Sequence, residues 1–169
     1  MKFIKANLFI IIGILVISMQ VSAYDFSAYP YKMPVIVISN CVDEDQTNFP
    51  VCLKLSSNNF NFSLARSDGN DISFCYSTNG AYFSYEIEEW DNANKRATVW
   101  VNVPSILSNT NTLFYMFFGD GGSGPGLNDK NNTWSNNFGA VWHLNGPGTS
   151  SNSATKTYIT PWNVSDGVT

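Results

Sequence analysis

Four blocks follow one another within residues 66–120: Arg66-Ser67-Asp68-Gly69-Asn70-Asp71-Ile72-Ser73-Phe74, Tyr85-Glu86-Ile87-Glu88-Glu89-Trp90-Asp91, Val99-Trp100-Val101-Asn102-Val103-Pro104 and Leu113-Phe114-Tyr115-Met116-Phe117-Phe118-Gly119-Asp120. Apolar runs, several of them strictly alternating, lie between turns rich in Gly, Asn, Asp and Pro, which is the pattern of β-strands joined by short turns. Working outward, residues 35–39 read as an earlier strand, followed by the acidic turn Asp43-Glu44-Asp45. Residues 49–55 read as another, with Val51, Leu53 and Leu55 on one face and Cys52 and Lys54 on the other. Asn79-Gly80 predicts a tight hairpin joining a strand at 72–76 to one at 82–89. Pro104 is expected to stop the ladder of the 97–103 strand, and a helix has room only around 105–108. The fold these elements predict is all-β: an antiparallel two-sheet sandwich of seven or eight strands, jelly-roll or concanavalin-like.

Residues 1–23 read as a secretory signal. Lys2 and Lys5 give a positive start, residues 8–17 form an apolar core broken by Gly13, and Val21-Ser22-Ala23 supplies small residues for cleavage after Ala23. That core of about ten residues is short of the roughly 20 that a spanning helix needs. An uncleaved anchor is the alternative, and either way the chain is expected to be exported, secreted or held at the cell surface. Without Lys2 and Lys5, 7 basic residues of the original 9 face 13 acidic ones, a formal balance of −6. Such a surface argues against nucleic acid and anionic lipid as partners. Asn, Ser, Thr and aromatic residues are abundant, so the expected partners are glycans or cell-envelope components. Membrane contact is expected only through an uncleaved signal or a region beyond Thr169.

Composition changes at Gly119, where Gly119-Asp120-Gly121-Gly122-Ser123-Gly124-Pro125-Gly126 reads as a connection. The organisation expected is therefore a signal at 1–23, a β-sandwich domain at 24–118 and a Gly-rich linker at 119–132. Residues 133–169 are either the incomplete start of a second lectin-like β domain, the preferred reading, or a tail packing back on the first. Cys41, Cys52 and Cys75 are an odd set for an oxidising compartment, predicting one pair and one free or intermolecular thiol. Cys52–Cys75 across neighbouring strands and Cys41–Cys52 across the first hairpin both remain open. No Cys-x-x-Cys or Cys/His cluster points to zinc. Sequons stand at Asn61-Phe62-Ser63, Asn131-Asn132-Thr133 and Asn163-Val164-Ser165.

The four blocks, in their order and spacing, resemble the exported bacterial and archaeal family called domain of unknown function 2341, over residues 24–120. That family usually starts with a Trp and a Tyr-Arg pair, where this chain has Tyr29-Pro30-Tyr31-Lys32. The resemblance implies a β-rich module of large cell-surface proteins, found beside concanavalin-like lectin folds and near proton-channel subunits, with no established catalytic residues. The run from Trp134 to Leu144 is similar to the entry of a concanavalin-like or laminin-G-like domain, although Ser151-Asn152-Ser153 stands where an Asp-Ser pair is usual.

Glu86, Glu88 and Asp91 form the one constellation suited to catalysis. On a strand, Glu86 and Glu88 share a side, and the spacing is similar to the paired carboxylates of concanavalin-like glucanases, which act as nucleophile and general acid. A solvated outer strand face explains the same residues and is the preferred reading. Asp68, Asn70 and Asp71 offer oxygens that suit calcium, whereas an Asx-type turn around Gly69 accounts for all of them without a metal. Trp90, Trp100, Trp134, Trp142 and Trp162 are candidates for sugar stacking or for packing. Trp100 faces opposite to Val99 and Val101, so it either packs on the second sheet or lies exposed. His143, the only histidine, has no nucleophile in a Gly-x-Ser-x-Gly setting, which excludes a hydrolytic triad. The function expected is a non-catalytic adhesion or carbohydrate-binding module. A glycoside hydrolase using Glu86 and Glu88, or a structural spacer of a larger envelope protein, is the alternative.

Overall fold

The computed structural model of the protein describes residues 23–119, 128–135 and 138–143. Its strands are β1 (Tyr24–Asp25), β2 (Tyr31–Val37), β3 (Gln46–Ser56), β4 (Ser73–Cys75), β5 (Asn79–Gly80), β6 (Tyr85–Asp91), β7 (Arg96–Ile106) and β8 (Thr112–Phe118), followed by one short helix, α1 (Lys130–Thr133). They form two three-stranded sheets, β2-β8-β4 and β3-β7-β6, plus the two-stranded ribbon β1-β5, and every pairing between them is antiparallel. The all-β sandwich expected from the alternation is the fold observed.

The alternation decides which faces meet. Val99, Val101 and Val103 of β7 point inward and are fully buried, as are Phe114 and Met116 of β8 and Phe74 of β4. Together with Ile72, Tyr85, Leu55 and Phe118 they make one continuous core between the two sheets. Aromatic rings cross it edge to face, Phe74 against Tyr85 at 5.3 Å between centroids and Phe60 against Phe118 at 5.0 Å. Each such ring removes a large apolar area from water, which is the main favourable term in a domain with so few charges. A second, smaller cluster lies on the outside of sheet β2-β8-β4. There Phe26 stacks on Phe117 at 4.8 Å and the hydroxyls of Tyr29 and Ser73 share a hydrogen bond of 2.9 Å.

Several local expectations give way to the sheet topology. Asn79-Gly80 is not a hairpin turn: it forms β5, which pairs with Tyr24–Asp25. β4 and β6 lie in different sheets, so the intervening chain crosses the sandwich, fixed on the way by Phe83 N–H donating to the Phe74 carbonyl at 2.8 Å. Pro104 does not stop its strand, since β7 continues to Ile106 and no helix occupies 105–108. The reason is the direction of the backbone groups. Asn102 N–H donates to the Ser84 carbonyl at 2.9 Å, on the β6 side, and residue 104 faces that same side beyond the start of β6. Its missing N–H therefore costs no ladder bond. The same alternation makes Pro50, the β3 partner of Asn102, face the free edge of β3, where a proline is tolerated and blocks strand addition.

The loop between β3 and β4 is tied in from both ends. Gly69 has a φ of +71°, and a Cβ there would come within 2.4 Å of the Trp90 ring, so the turn needs glycine for its conformation and for the approach of Trp90. Asp71, only 2% exposed, accepts Arg66 N–H on Oδ1 and Gly119 N–H on Oδ2, both at 3.0 Å. Gly119 itself has a φ of +91°. One carboxylate thus joins the start of the loop to the end of β8.

Candidate functional site

The outer face of sheet β3-β7-β6 is the chemically richest surface. Cys52 and Glu86 are both in register with Trp100, one on each side of it, so these side chains share the face opposite to the valines of β7. A β-bulge between Ile87 and Glu89 inserts Glu88 into β6. The extra residue returns Trp90 to the core side, opposite Ala97, while leaving Glu88 outside.

The described part of the chain beyond β8 lies on this face. Asn128 forms an isolated parallel bridge with Tyr85, Asp129 N–H donates to the Tyr85 carbonyl at 2.8 Å, and Asn128 Oδ1 accepts Ile87 N–H at 3.2 Å, closing the free edge of β6. Asp129 then caps α1, accepting Asn132 N–H on Oδ1 at 3.2 Å. Asn102 Nδ2 donates to the Asn132 carbonyl at 2.7 Å, holding α1 on β7. Within the region expected to be a linker at 119–132 and a separate unit from 133, the described residues 128–135 and 138–143 therefore pack on the sandwich. Residues 120–127 and 144–169 lie outside the described residues, as does most of the signal.

Glu86, Glu88, Trp100, Trp134 and His143 meet in one cluster. Trp134 Nε1 donates to Glu86 Oε2 at 2.5 Å and Trp100 Nε1 donates to Glu88 Oε2 at 2.7 Å. The His143 ring stands between the two carboxylates, Nε2 at 3.1 Å from Glu86 Oε2 and Nδ1 at 3.4 Å from Glu88 Oε2. It also stacks on Trp100 at 5.9 Å and lies 5.7 Å from Trp134. The side chains of Glu86, Glu88 and His143 are 11%, 19% and 13% exposed. The paired carboxylates of the sequence are thus brought together, but under an aromatic cover and already hydrogen-bonded. Asp91 is not part of the group: its carboxylate accepts Asn94 Nδ2 at 2.7 Å and pairs with Arg96 at 3.3 Å. Sequence reading singled out Trp134 and His143 separately but did not place them with Glu86 and Glu88. The one available signal was Trp100, a large apolar side chain on the outward side of a strand, which calls for a cover.

Trp100 therefore neither packs on the second sheet nor lies open, as the alternation had suggested; the 128–143 segment covers it. Trp90 belongs to the core, and Trp162 lies outside the described residues. Asp68 Oδ1 accepts Asn70 N–H at 3.1 Å and Asp68 Oδ2 pairs with Arg66 at 2.8 Å, while both oxygens of Asp71 are used by backbone N–H groups. The Asp68–Asn70 bond is that of an Asx turn, whereas Asp71 ties the turn to the Arg66 and Gly119 backbone. Among the described residues no group of three or more His, Cys, Asp or Glu side chains has the arrangement of a metal site.

All three cysteines are free thiols in this structure. Cys52 and Cys75 lie in different sheets, so they are not the cross-strand neighbours that one pairing required. Cys75 is buried and its Sγ donates to the Ala81 carbonyl at 3.1 Å. Burial pushes the Cys52 thiol up from its ordinary value, with Lys54 opposing and Glu88 adding to the shift.

Beside this cluster, along β3, runs an open groove of about 710 Å³. Its lining includes Phe49, Trp100, Val42 and Ile106, with the acidic side chains Asp43 and Glu44. Phe49 is 41% exposed. The acidic pair belongs to a loop fastened to the β7–β8 turn, where Asp45 Oδ1 accepts Ser108 N–H at 2.7 Å and Oγ–H at 2.8 Å and Asn111 Oδ1 accepts Ser39 N–H at 2.9 Å.

Turn carboxylates set the expected acid response. Hydrogen bonds from Ser27, Ser108, Asn70 and Asn94 hold Asp25, Asp45, Asp68 and Asp91 respectively below the usual carboxylate range. Their charged forms are favoured by folding, so the unfolded chain takes up protons first as the pH falls. The stabilisation is complete above about pH 4 and is lost as the pH drops through the lower, folded-state values. Thermal melts are expected to show a lower Tm at pH 3 than at pH 5, with Asp45→Asn flattening part of that fall. A Tm that rises between pH 5 and pH 3 would contradict this account.

Among the described residues no helix is long and apolar enough to cross a membrane. No match was found among the curated proteins or the solved structures. The expected entry into a concanavalin-like domain at 134–144 gains no support from these comparisons, because one family match already includes most of it. Residues 68–142 are similar to the family described as "Domain of unknown function (DUF2341)", a match that takes in the Asp68–Asp71 turn, strands of both sheets and the segment docked over Glu86 and Glu88.

Proposed function

We propose that this chain is an exported, non-catalytic binding module of the cell surface, and that the groove beside β3 seats a neutral carbohydrate. The observation that supports the reading is the groove itself, whose lining combines the aromatic residues Phe49 and Trp100 with the carboxylates of Asp43 and Glu44. Sugar rings carry apolar faces that stack on aromatic rings, and their hydroxyls donate well to carboxylates. An acidic lining disfavours anionic sugars by charge alone. The volume lies within the range of roughly 300–1,000 Å³ common to small-ligand sites. The occupied state of Glu86 and Glu88 weighs against the glycoside hydrolase alternative. A hydrolase needs its acid and nucleophile free to reach the glycosidic bond, with carboxyls about 5–5.5 Å apart for retention.

The test is a titration of the chain from Tyr24 to Thr169 against a panel of neutral and acidic polysaccharides, with calcium and with chelator. Saturable binding of a neutral glycan is expected, weakened at least about tenfold by Phe49→Ala, an exposed side chain whose loss leaves the fold intact. Loss of binding with chelator would bring calcium into the site. A blank from well-folded protein would sink the carbohydrate reading and favour the structural spacer.

A further inference from the structure

We propose that Asn61 is an attachment site for an N-linked glycan and that Asn131 is not; the proposal rests on the export reading above. Transfer to an Asn-x-Ser/Thr sequon requires both the amide and the hydroxyl two residues on to be presented to the transferase. At the first sequon they are. Phe60 and Phe62 are buried in the core, 5% and 3% exposed, which turns Asn61 and Ser63 outward between and after them. Ser63 Oγ donates to Asn61 Oδ1 at 2.7 Å and Ser63 N–H donates to the same oxygen at 3.1 Å. Hydroxyl and amide therefore sit side by side at the surface, and Asn61 Nδ2 makes no hydrogen bond among the described residues.

The space around it suits a sugar. Asn61 lines an open depression of about 510 Å³ with Ser57, Asn58, Asn59 and Lys95. Those side chains offer donors and acceptors to the first residues of a glycan, and Phe60 and Phe62 contribute an apolar part of the lining. The second sequon contrasts at the decisive residue. Thr133 is completely buried and its Oγ1 donates to the Asp129 carbonyl at 2.7 Å inside the capped turn of α1. Asn131 is exposed, but its partner hydroxyl is out of reach in the folded chain. Asn163 lies outside the described residues.

In the reaction, Asn61 Nδ2 bonds to C1 of a glycosyl donor carried on a lipid pyrophosphate. The C1–O bond to the pyrophosphate breaks, the lipid pyrophosphate leaves with the electron pair, and the amide gives up one proton. No oxidant or reductant is involved.

The experiment is to express the full chain, signal included, in a eukaryotic secretory host and map the product. N-terminal sequencing reads the signal cleavage, and peptide mapping after enzymatic deglycosylation in heavy-oxygen water reads each Asn. The expected result is a chain starting at Tyr24, with Asn61 modified and Asn131 unmodified. Ser63→Ala should abolish the modification at Asn61 and Ser63→Thr should preserve it. An unmodified Asn61 in a chain that starts at Tyr24 overturns the proposal alone, as does a glycan on Asn131. A chain that keeps Met1 and stays inside the cell overturns the export reading, and this inference with it.

Discussion

Replacing Asp71 with alanine is expected to lower folding stability by about 3–5 kcal/mol, the sum of two hydrogen bonds to a charged acceptor. Asp71 is 2% exposed and takes Arg66 N–H on one oxygen and Gly119 N–H on the other. Alanine leaves both donors without that acceptor, in part-buried surroundings. The effect is also topological. Arg66 opens the loop that carries Gly69 under Trp90, and Gly119 closes β8, so the lost carboxylate disconnects the 66–71 turn from the sheet it braces. Asp71→Asn keeps one amide oxygen and is expected to lose about half as much. Urea unfolding at pH 7 measures both, with an unchanged m-value marking a stability effect and not a change of compactness. A loss below about 1 kcal/mol for the alanine variant would mean that the carboxylate is not the tie described.

The position of Asp71 shows where sequence reading reaches and where it stops. The Asp68-Gly69-Asn70-Asp71 turn was legible, because Asx turns are built from side chains bonding to their own backbone a few residues away. That Asp71 reaches Gly119 was not, since nothing local encodes a partner so far along the chain. Strands follow the same rule. Val99, Val101 and Val103 declare an inner face by alternation alone, whereas the strand that each strand pairs with is set by the whole core. Asn79-Gly80 misleads for this reason: its turn propensity is real, but the next strand gains more by joining β7 in the opposite sheet than by pairing back on β4. Pro104 misleads for another, because a proline interrupts a ladder only where its N–H would have been used. In the candidate site, Glu86 and Glu88 were readable as a pair on one face. Their cover was not, as Trp134 and His143 arrive from beyond a Gly-rich stretch whose composition suggested a break between domains.

That cover supplies the test that separates a structural cluster from an active site. Glu86→Ala is expected to cost about 2–4 kcal/mol, since it removes the acceptor of the Trp134 indole N–H and one of the groups facing His143. Trp134 is 4% exposed, so its N–H is left in a poor position to find water. The loss should be local before it is global. Amides that fix the docked segment, Asp129 N–H to the Tyr85 carbonyl and Thr133 N–H to the Asp129 carbonyl, are expected to exchange faster, while those between β7 and β3 keep their protection. Glu86→Gln retains an oxygen for the indole and is expected to keep most of the stability and the docked segment. A catalytic carboxylate would behave in the opposite order. Glutamine would then leave fold and exchange untouched yet remove hydrolysis of any glycan the groove binds, because an amide serves as neither nucleophile nor acid. Unchanged exchange at Asp129 and Thr133 in the alanine variant would show that the segment is held by other contacts, Asn102 to Asn132 first among them.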